Sequence, residues 1–214
     1  FRRCASTLGK PVALLTWLYL NTGLWPRMWR LHSVFPLYNK KRASNLDNYR
    51  GIHLSAQLSK VVERLLGRFL LLFLEKTGAY GPNQFAYRKK RGCKDALAMN
   101  VLQWIWWLSQ NKLIGLYCSD VSGAFDKVCS TTLVQKLEHL GVRQPLLKLL
   151  SSWLEYRNAV FVVDGVFSEQ TVLRNMVYQG TVLGPPLWNA FFGDARFVIE
   201  DRGFKDTFFA DDLN

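Results

Sequence analysis

Histidine and cysteine are scarce in this 214-residue chain, which has three His and four Cys. Cys4, Cys93, Cys118 and Cys129 show neither paired spacing nor His partners at metal-ligand distances, so neither a zinc site nor a disulfide framework is expected. Scattered thiols of this kind suit a reducing compartment. Acidic residues are sparse in the first half: residues 1–100 carry 18 Lys and Arg against 4 Asp and Glu. Long apolar runs are missing as well. Val12–Leu20 is followed by Asn21 and Gly23 with no small-residue cleavage site, and Phe69–Leu74 is far too short to span a bilayer. No membrane partner is therefore expected. Internal repeats, low-complexity tracts and flexible linkers are absent from the sequence.

What the chain does have is apolar mass and positive charge. Apolar residues make up 49% and charged residues 21%, enough to build a buried core and to exclude general disorder. The net charge is +12, and the excess sits in the basic first half; residues 101–214 carry 10 basic and 12 acidic side chains. Such a half suits a polyanion, since each phosphate contact releases counterions and adds sequence-independent affinity.

The pattern predicts a helix over Pro11–Leu20, with Pro in its first turn. A strand is expected at Val34–Tyr38, then a polar loop, Asn39–Asp47, at a hairpin tip. Leu58, Val61, Val62, Leu65, Leu66 and Phe69 recur at helical spacing and predict a helix over about Ser55–Lys76, stopped by Gly78 and Gly81-Pro82. A strand and turn are expected over Asn83–Arg91 and a helix over Lys94–Gln110, whose Trp104, Trp106 and Trp107 read as core. Leu113–Ser119 has the length and apolarity of a buried central strand. Helices follow at about Ser130–Leu140, capped by Ser130 or Thr131, and at Pro145–Tyr156. Val160–Val163, Asp164-Gly165 and Val166–Ser168 form a hairpin. Pro185-Pro186 opens a helix to about Glu200, and Asp206–Ala210 returns as a strand. The fold class is α+β with a largely antiparallel sheet.

Two acidic positions each abut an expected strand end: Asp120, and Asp211 with Asp212. Rigid neighbouring strands would bring these carboxylates together. Unpaired, they would repel and resist burial. Divalent cations relieve that cost, hard Mg²⁺ prefers oxygen ligands, and two such ions can clamp the oxygens of a phosphoryl transfer.

Several segments carry a family resemblance. Asp120-Val-Ser-Gly-Ala-Phe-Asp126, the run Gln179-Gly-Thr-Val-Leu-Gly-Pro-Pro-Leu-Trp-Asn189 and Phe209-Ala-Asp-Asp212 resemble the corresponding boxes of reverse transcriptases from non-LTR (LINE-type) retrotransposons. Upstream, Asn48-Tyr-Arg-Gly-Ile52 with Lys60 and Glu63, and Gln84-Phe-Ala-Tyr-Arg88 through Asp95-Ala96, are similar to two further boxes in the family's order. Gly51, Ala86 and Tyr178 depart from its commonest pattern. The resemblance covers about residues 25–214.

It implies a right-hand polymerase: an N-terminal extension and fingers over residues 1–112 with an interleaved palm helix, and an antiparallel palm sheet with packed helices over residues 113–214. Asp120 and Asp211 would bind two Mg²⁺ ions, with Mn²⁺ as a substitute, Asp212 in support and the Val121 carbonyl on the nucleotide side. Phe125 would be the steric gate against a 2′-hydroxyl. Gln179 and Gly180 would border the nucleotide, and Lys40, Lys41 and Arg50 would reach its triphosphate. Asp126 would cap the following helix. The implied partners are an RNA template, a DNA primer and dNTPs, in an intracellular setting with nuclear access. Only Leu213 and Asn214 follow the acidic pair, so the return strand of that hairpin, the later palm and the thumb are expected to be absent and the isolated chain to polymerise poorly. Ala210 before the acidic pair, the Gln179-Gly180 box and Phe125 weigh against an RNA-dependent RNA polymerase. The remaining alternatives are a group II intron-type reverse transcriptase and an inactive fragment that at most binds nucleic acid.

Overall fold

Helix α1 (Ala5–Thr22) contains Pro11 and ends at Gly23, whose N–H donates to the Tyr19 carbonyl at 2.9 Å. A 3₁₀ turn, Arg27–Arg30, feeds strand β1 (Leu31–Tyr38), which pairs antiparallel with β2 (Tyr49–Leu54) from Ser33↔Leu54 to Tyr38↔Tyr49. The expected hairpin is therefore present. The computed structural model describes residues 4–39 and 42–213, so Lys40 and Lys41, expected at a hairpin tip, lie outside the described residues. Helix α2 (Gln57–Lys76) buries Val62, Leu66, Leu70 and Leu74, one stripe at four-residue spacing, with Leu58, Val61 and Leu65 packed alongside. Then come α3 (Cys93–Ser109), the two-residue strand β3 (Ser119–Asp120), a 3₁₀ turn (Ala124–Lys127), α4 (Ser130–His139) and α5 (Leu146–Leu154).

Strands β4 (Tyr156–Val163) and β5 (Val166–Phe167) make the expected hairpin, and β6 (Thr171–Arg174), not foreseen, folds back onto β4. The larger sheet has the order β2-β1-β4-β5, with β6 also on β4. Its pairs are antiparallel except β1 with β4, which run parallel from Leu31↔Asn158 to Val34↔Phe161. Helices α6 (Gly184–Phe192) and α7 (Ala195–Asp201) precede β7 (Phe208–Phe209) and β8 (Asp212–Leu213). These last strands and β3 form a small antiparallel sheet in the order β3-β8-β7. Helices α2, α4, α5 and α6 close over one core that includes Leu133, Leu150, Trp153, Leu183 and Trp188.

Four expectations are corrected. Leu113–Ser119 is not a buried strand: only Ser119 and Asp120 pair, and Leu113 is 99% exposed. Most of the run is exposed, with only Ile114 and Ser119 half-buried, and apolarity alone cannot supply a partner. The tryptophans of α3 are not core; Trp106 is 56% exposed, Trp104 and Trp107 are half-buried, and Ala96 is the helix's buried residue. The helix expected over Pro185–Glu200 is two, divided at Gly193-Asp194 where the chain presses against Ala79. A Cβ on Gly193 would stand 2.1 Å from the Ala79 carbonyl oxygen. Neither Asp126 nor Ser130 or Thr131 caps α4. Its N-cap is Cys129 without a side-chain bond, Asp126 lies inside the 3₁₀ turn, and the Ser130 hydroxyl donates to the Leu154 carbonyl at 3.1 Å. All four cysteines are free and exposed. Among the described residues, no helix is long and apolar enough to cross a membrane.

Because the clash at Gly193 is with backbone, the neighbour cannot swing aside. Gly193→Ala is expected to cost about 1–3 kcal/mol, the usual cost of forcing extra atoms into a packed contact. Urea unfolding checks this, and an unchanged midpoint would contradict the close approach.

Candidate active site

The acidic residues meet on the small sheet. Asp120 is the register partner of Asp212 across β3 and β8, while Phe209 is the partner of Asp212 across β7 and β8. Phe209-Ala-Asp-Asp212 is thus a hairpin whose turn is Ala210-Asp211, and its return strand, expected to be absent, is present as β8 because two residues suffice to pair with both β7 and β3. Directly opposed residues of an antiparallel pair stand on one face, with Cβ atoms roughly 4.5–5.5 Å apart. Asp120 and Asp212 are exposed and Asp211 is half-buried. The Val121 N–H donates to the Asp211 carbonyl at 3.3 Å, and the Val121 carbonyl accepts from Ala124 N–H at 3.1 Å. A cleft of about 450 Å³ opens beside them, lined by Cys93, Cys118, Asp120, Thr207, Phe209 and Asp212 among others.

Asp211 records the electrostatics of this arrangement. Burial pushes its carboxyl up from the ordinary 3.8, the charges of Asp120 and Asp212 push it further, and its own backbone N–H and the Arg50 guanidinium oppose them. Asp120, Asp212 and, from β2 of the larger sheet, Arg50 therefore all act on Asp211. Tyr87, held at φ +58 and half exposed, is close enough that Asp211 adds to the upward shift that burial gives its phenol.

The donor set is hard oxygen with mutual repulsion, which fits Mg²⁺ chemically. Among the described residues, no three His, Cys, Asp or Glu side chains are grouped so that they could hold a metal ion. Mg²⁺ is usually bound through one or two carboxylates plus waters and substrate phosphates, so an open set is compatible with it.

Other expected residues take definite places. Phe125 is buried and stacked on Trp188, with ring centroids 5.9 Å apart and planes 18° apart, and its carbonyl accepts from Val177 N–H. The Gln179 carbonyl accepts from His53 N–H at 3.1 Å, joining that loop to β2. Gly180 sits at φ +90, and a Cβ there would lie 2.7 Å from the His53 carbonyl oxygen. The close approach that requires glycine is thus to the protein's own backbone. Tyr178 is fully buried against His32, His53 and Trp153.

Sequence reading assigned no role to several residues that hold these parts. Buried Glu63 accepts from Val182 N–H at 2.7 Å and from Leu183 N–H at 3.2 Å, fixing the chain where α6 begins. Arg88 binds Glu75 through two nitrogens and donates to the Gly81 carbonyl. Asn189 donates to the Ala86 carbonyl at 2.9 Å. Each lies within a box already recognised. The available signal was a polar side chain embedded among apolar neighbours, which when buried must find partners.

Residues 38–214 match the family described as reverse transcriptase (RNA-dependent DNA polymerase). The chain belongs to the reverse transcriptase family. The RNA-directed DNA polymerase from mobile element jockey of Drosophila melanogaster is 31% identical over 186 residues, which is 86% of this chain and 20% of that protein. The probable RNA-directed DNA polymerase from transposon BS of the same species is 26% identical over 211 residues, 94% of this chain and 23% of that protein. The chain thus spans about a fifth of the length of the curated relatives it matches. Among solved structures, apo telomerase from Candida tropicalis superposes with a TM-score of 0.61 at 10% identity, over 89% of this chain and 44% of that one. Telomerase from Candida albicans gives 0.59 at 14% identity, over 88% and 38%. At these identities the likeness concerns the fold. The LINE-type reverse transcriptase read from the boxes agrees with the family and with the mobile-element relatives.

The raised Asp211 has a consequence for stability. A carboxyl whose folded pKa exceeds its unfolded value favours folding in its protonated form; that contribution is complete below the ordinary 3.8 and lost as pH rises through the folded midpoint. Asp211→Asn, which never ionises, is therefore expected to melt higher than wild type at pH 7, with the gain shrinking in acid. Thermal unfolding across pH measures this, and equal melting at pH 7 would count against it.

Proposed function

We propose that this segment carries the nucleotidyl-transfer site of an RNA-directed DNA polymerase. The observation that carries the reading is Asp120 opposed to Asp212 on a hairpin whose turn residue Asp211 responds to both, within a chain of this family. Residues 1–112 would be an N-terminal extension and fingers, and residues 113–214 the palm. Asp120, Asp211 and Asp212, with the Val121 carbonyl, are the groups to hold two Mg²⁺ ions, or Mn²⁺ in their place, whose charge when bound stabilises the attacking and leaving oxygens. The 3′-hydroxyl of a DNA primer attacks the α-phosphate of a dNTP and pyrophosphate leaves. The chain's contribution is alignment and charge.

Arg50 suits the triphosphate: it lies within electrostatic reach of Asp211, and a guanidinium meets phosphate oxygens in a two-pronged fashion. Lys40 and Lys41, which lie between β1 and β2 in the sequence, would add charge there. Phe125 and the Gln179-Gly180 loop would form the sugar and base side of the pocket. The basic first half would bind the template backbone, while base pairing reads the RNA sequence, so the protein need recognise only duplex shape and phosphate.

The test is primer extension on an RNA template by the whole protein carrying this segment. Mg²⁺-dependent dNTP incorporation is expected, with Asp120→Asn and Asp211→Asn each lowering kcat by at least about 10²–10³-fold, the scale of losing one group that stabilises transition-state charge. Near-normal rates in either variant would overturn the carboxylate assignment. Arg50→Ala is expected to raise the KM for dNTP, and Phe125→Ala to admit ribonucleotides. Efficient ribonucleotide use by the wild type would overturn the polymerase class.

A further inference from the structure

The turn of the carboxylate hairpin places an L residue where side chains are strained. Ala210 has φ +61 and is buried. Its two peptide groups are held from outside the hairpin. Ala210 N–H donates to Gln84 Oε1 at 3.0 Å, and Gln84 Nε2 donates to the Ala210 carbonyl at 3.2 Å. The Trp188 indole N–H donates to the same carbonyl at 3.1 Å. The Gln84 side chain therefore reads both edges of one residue, as a neighbouring strand would.

The clamp is itself fixed. Gln84 is only 3% exposed, and its Oε1 also accepts from Ala86 N–H at 3.0 Å. With two N–H groups facing Oε1 and a carbonyl facing Nε2, the opposite orientation of the amide would set donor against donor and acceptor against acceptor. The backbone around it is anchored to β7: Phe85 N–H donates to the Phe208 carbonyl at 3.0 Å, Phe208 N–H donates to the Asn83 carbonyl at 2.9 Å, and Gln84 forms a parallel bridge with Phe208. Asn83 Nδ2 adds a bond to Asp206 at 2.8 Å. Trp188 is held by its stack on Phe125 and by a second on Phe192.

We infer that Gln84 is a positioning residue for the carboxylates: its amide, together with the Trp188 indole, locks Ala210 in the left-handed conformation and so fixes where Asp211 and Asp212 stand relative to Asp120. Neither side chain need touch substrate. The inference rests on the proposal that these carboxylates bind a divalent cation. A side chain that only filled core volume would be replaceable by an isosteric apolar one, whereas this role needs a donor and an acceptor at opposite ends of one amide. It also predicts a specific rescue. Glycine adopts a φ of this sign without steric cost, so a turn that has lost its clamp keeps its shape better once Ala210→Gly is introduced.

The experiment uses the 214-residue chain, Mn²⁺ as the probe and two readouts: Mn²⁺ affinity by electron paramagnetic resonance, and hydrogen exchange of the residue 210 amide. The variants are Gln84→Met, Ala210→Gly, their combination, and Asp211→Asn as control. Asp211→Asn is expected to lose Mn²⁺ binding. Gln84→Met is expected to weaken it about tenfold, the range typical of removing a residue that orients a metal ligand. The same substitution should speed exchange at Ala210. Adding Ala210→Gly should restore affinity to within about threefold of wild type while the thermal midpoint stays at that of Gln84→Met. Wild-type affinity in Gln84→Met, or a loss that Ala210→Gly does not recover, overturns the inference. If wild type binds Mn²⁺ no better than Asp211→Asn, the metal reading has failed; exchange at Ala210 then decides the clamp alone, and an unchanged rate in Gln84→Met refutes it. Should Gln84→Met not fold, Trp188→Phe with and without Ala210→Gly takes its place. It removes one donor while keeping an aromatic ring against Phe125, and the same outcomes decide.

Discussion

Setting Asp120 opposite Asp212 across an antiparallel pair, with Asp211 next in the chain, costs free energy, because like charges directly opposed on a ribbon repel and half-burial of the middle one sharpens the repulsion. The ribbon cannot bear that cost unaided. Strands β3, β7 and β8 have two residues each, and so short a sheet is marginal without packing behind it. Support comes from the segment at Asn83–Phe85 along β7 and from the indole of Trp188 at the turn. Trp188 belongs to α6, and α6 belongs to the main core. The carboxylates are thus held by the core through one helix and one loop.

A second dependency runs through the seam between the larger sheet and the helices. Arg157 of β4 is buried, with its guanidinium 4.3 Å from the Tyr178 ring centroid and 5.0 Å from that of Trp153. Its positive charge acts on buried Glu63, opposing the upward shift that burial imposes on that carboxyl. His32 and His53 face each other with Nδ1 atoms 3.2 Å apart, and burial beside Arg157 lowers them to about 3 and about 4. Both are neutral near pH 7, one donating and the other accepting. Glu63 anchors the start of α6, and His53 anchors Gln179, so this seam and the carboxylate hairpin share α6 as their common support. A change that loosened the seam would reach the carboxylates through that helix.

Helix α2 was legible in the sequence because it buries one stripe at four-residue spacing against the core, which leaves a period in the chain. The β4–β5 hairpin was legible because Asp164-Gly165 is a local turn signal. Pairing between distant strands was not: β1 lies parallel to β4 although more than a hundred residues separate them, and no periodicity records a partner. Leu113–Ser119 and the tryptophans of α3 misled for a related reason. Apolar character reports what a segment can bury, and the burial itself needs a surface opposite. At the site, the acidic residues were found through the boxes that contain them, and their convergence on one small sheet is as expected. Gln84 and Glu63 lay in recognised boxes without roles, because their partners are backbone groups more than a hundred residues away.

These hidden partners share one logic. Gln84 bonds the backbone at Ala210, and Glu63 bonds the backbone where α6 begins; in both cases a side chain replaces a strand or a helical turn that is missing. A cluster of carboxylates that faces a cleft leaves one side open, so it cannot be enclosed by regular hydrogen-bonded structure on every side. Side-chain amides and carboxylates can satisfy the exposed backbone from behind while the front stays clear. The strain at Ala210 and the raised Asp211 are the energetic trace of that choice. They are tolerated because the core behind them is close-packed, and function draws on the stability that the core supplies.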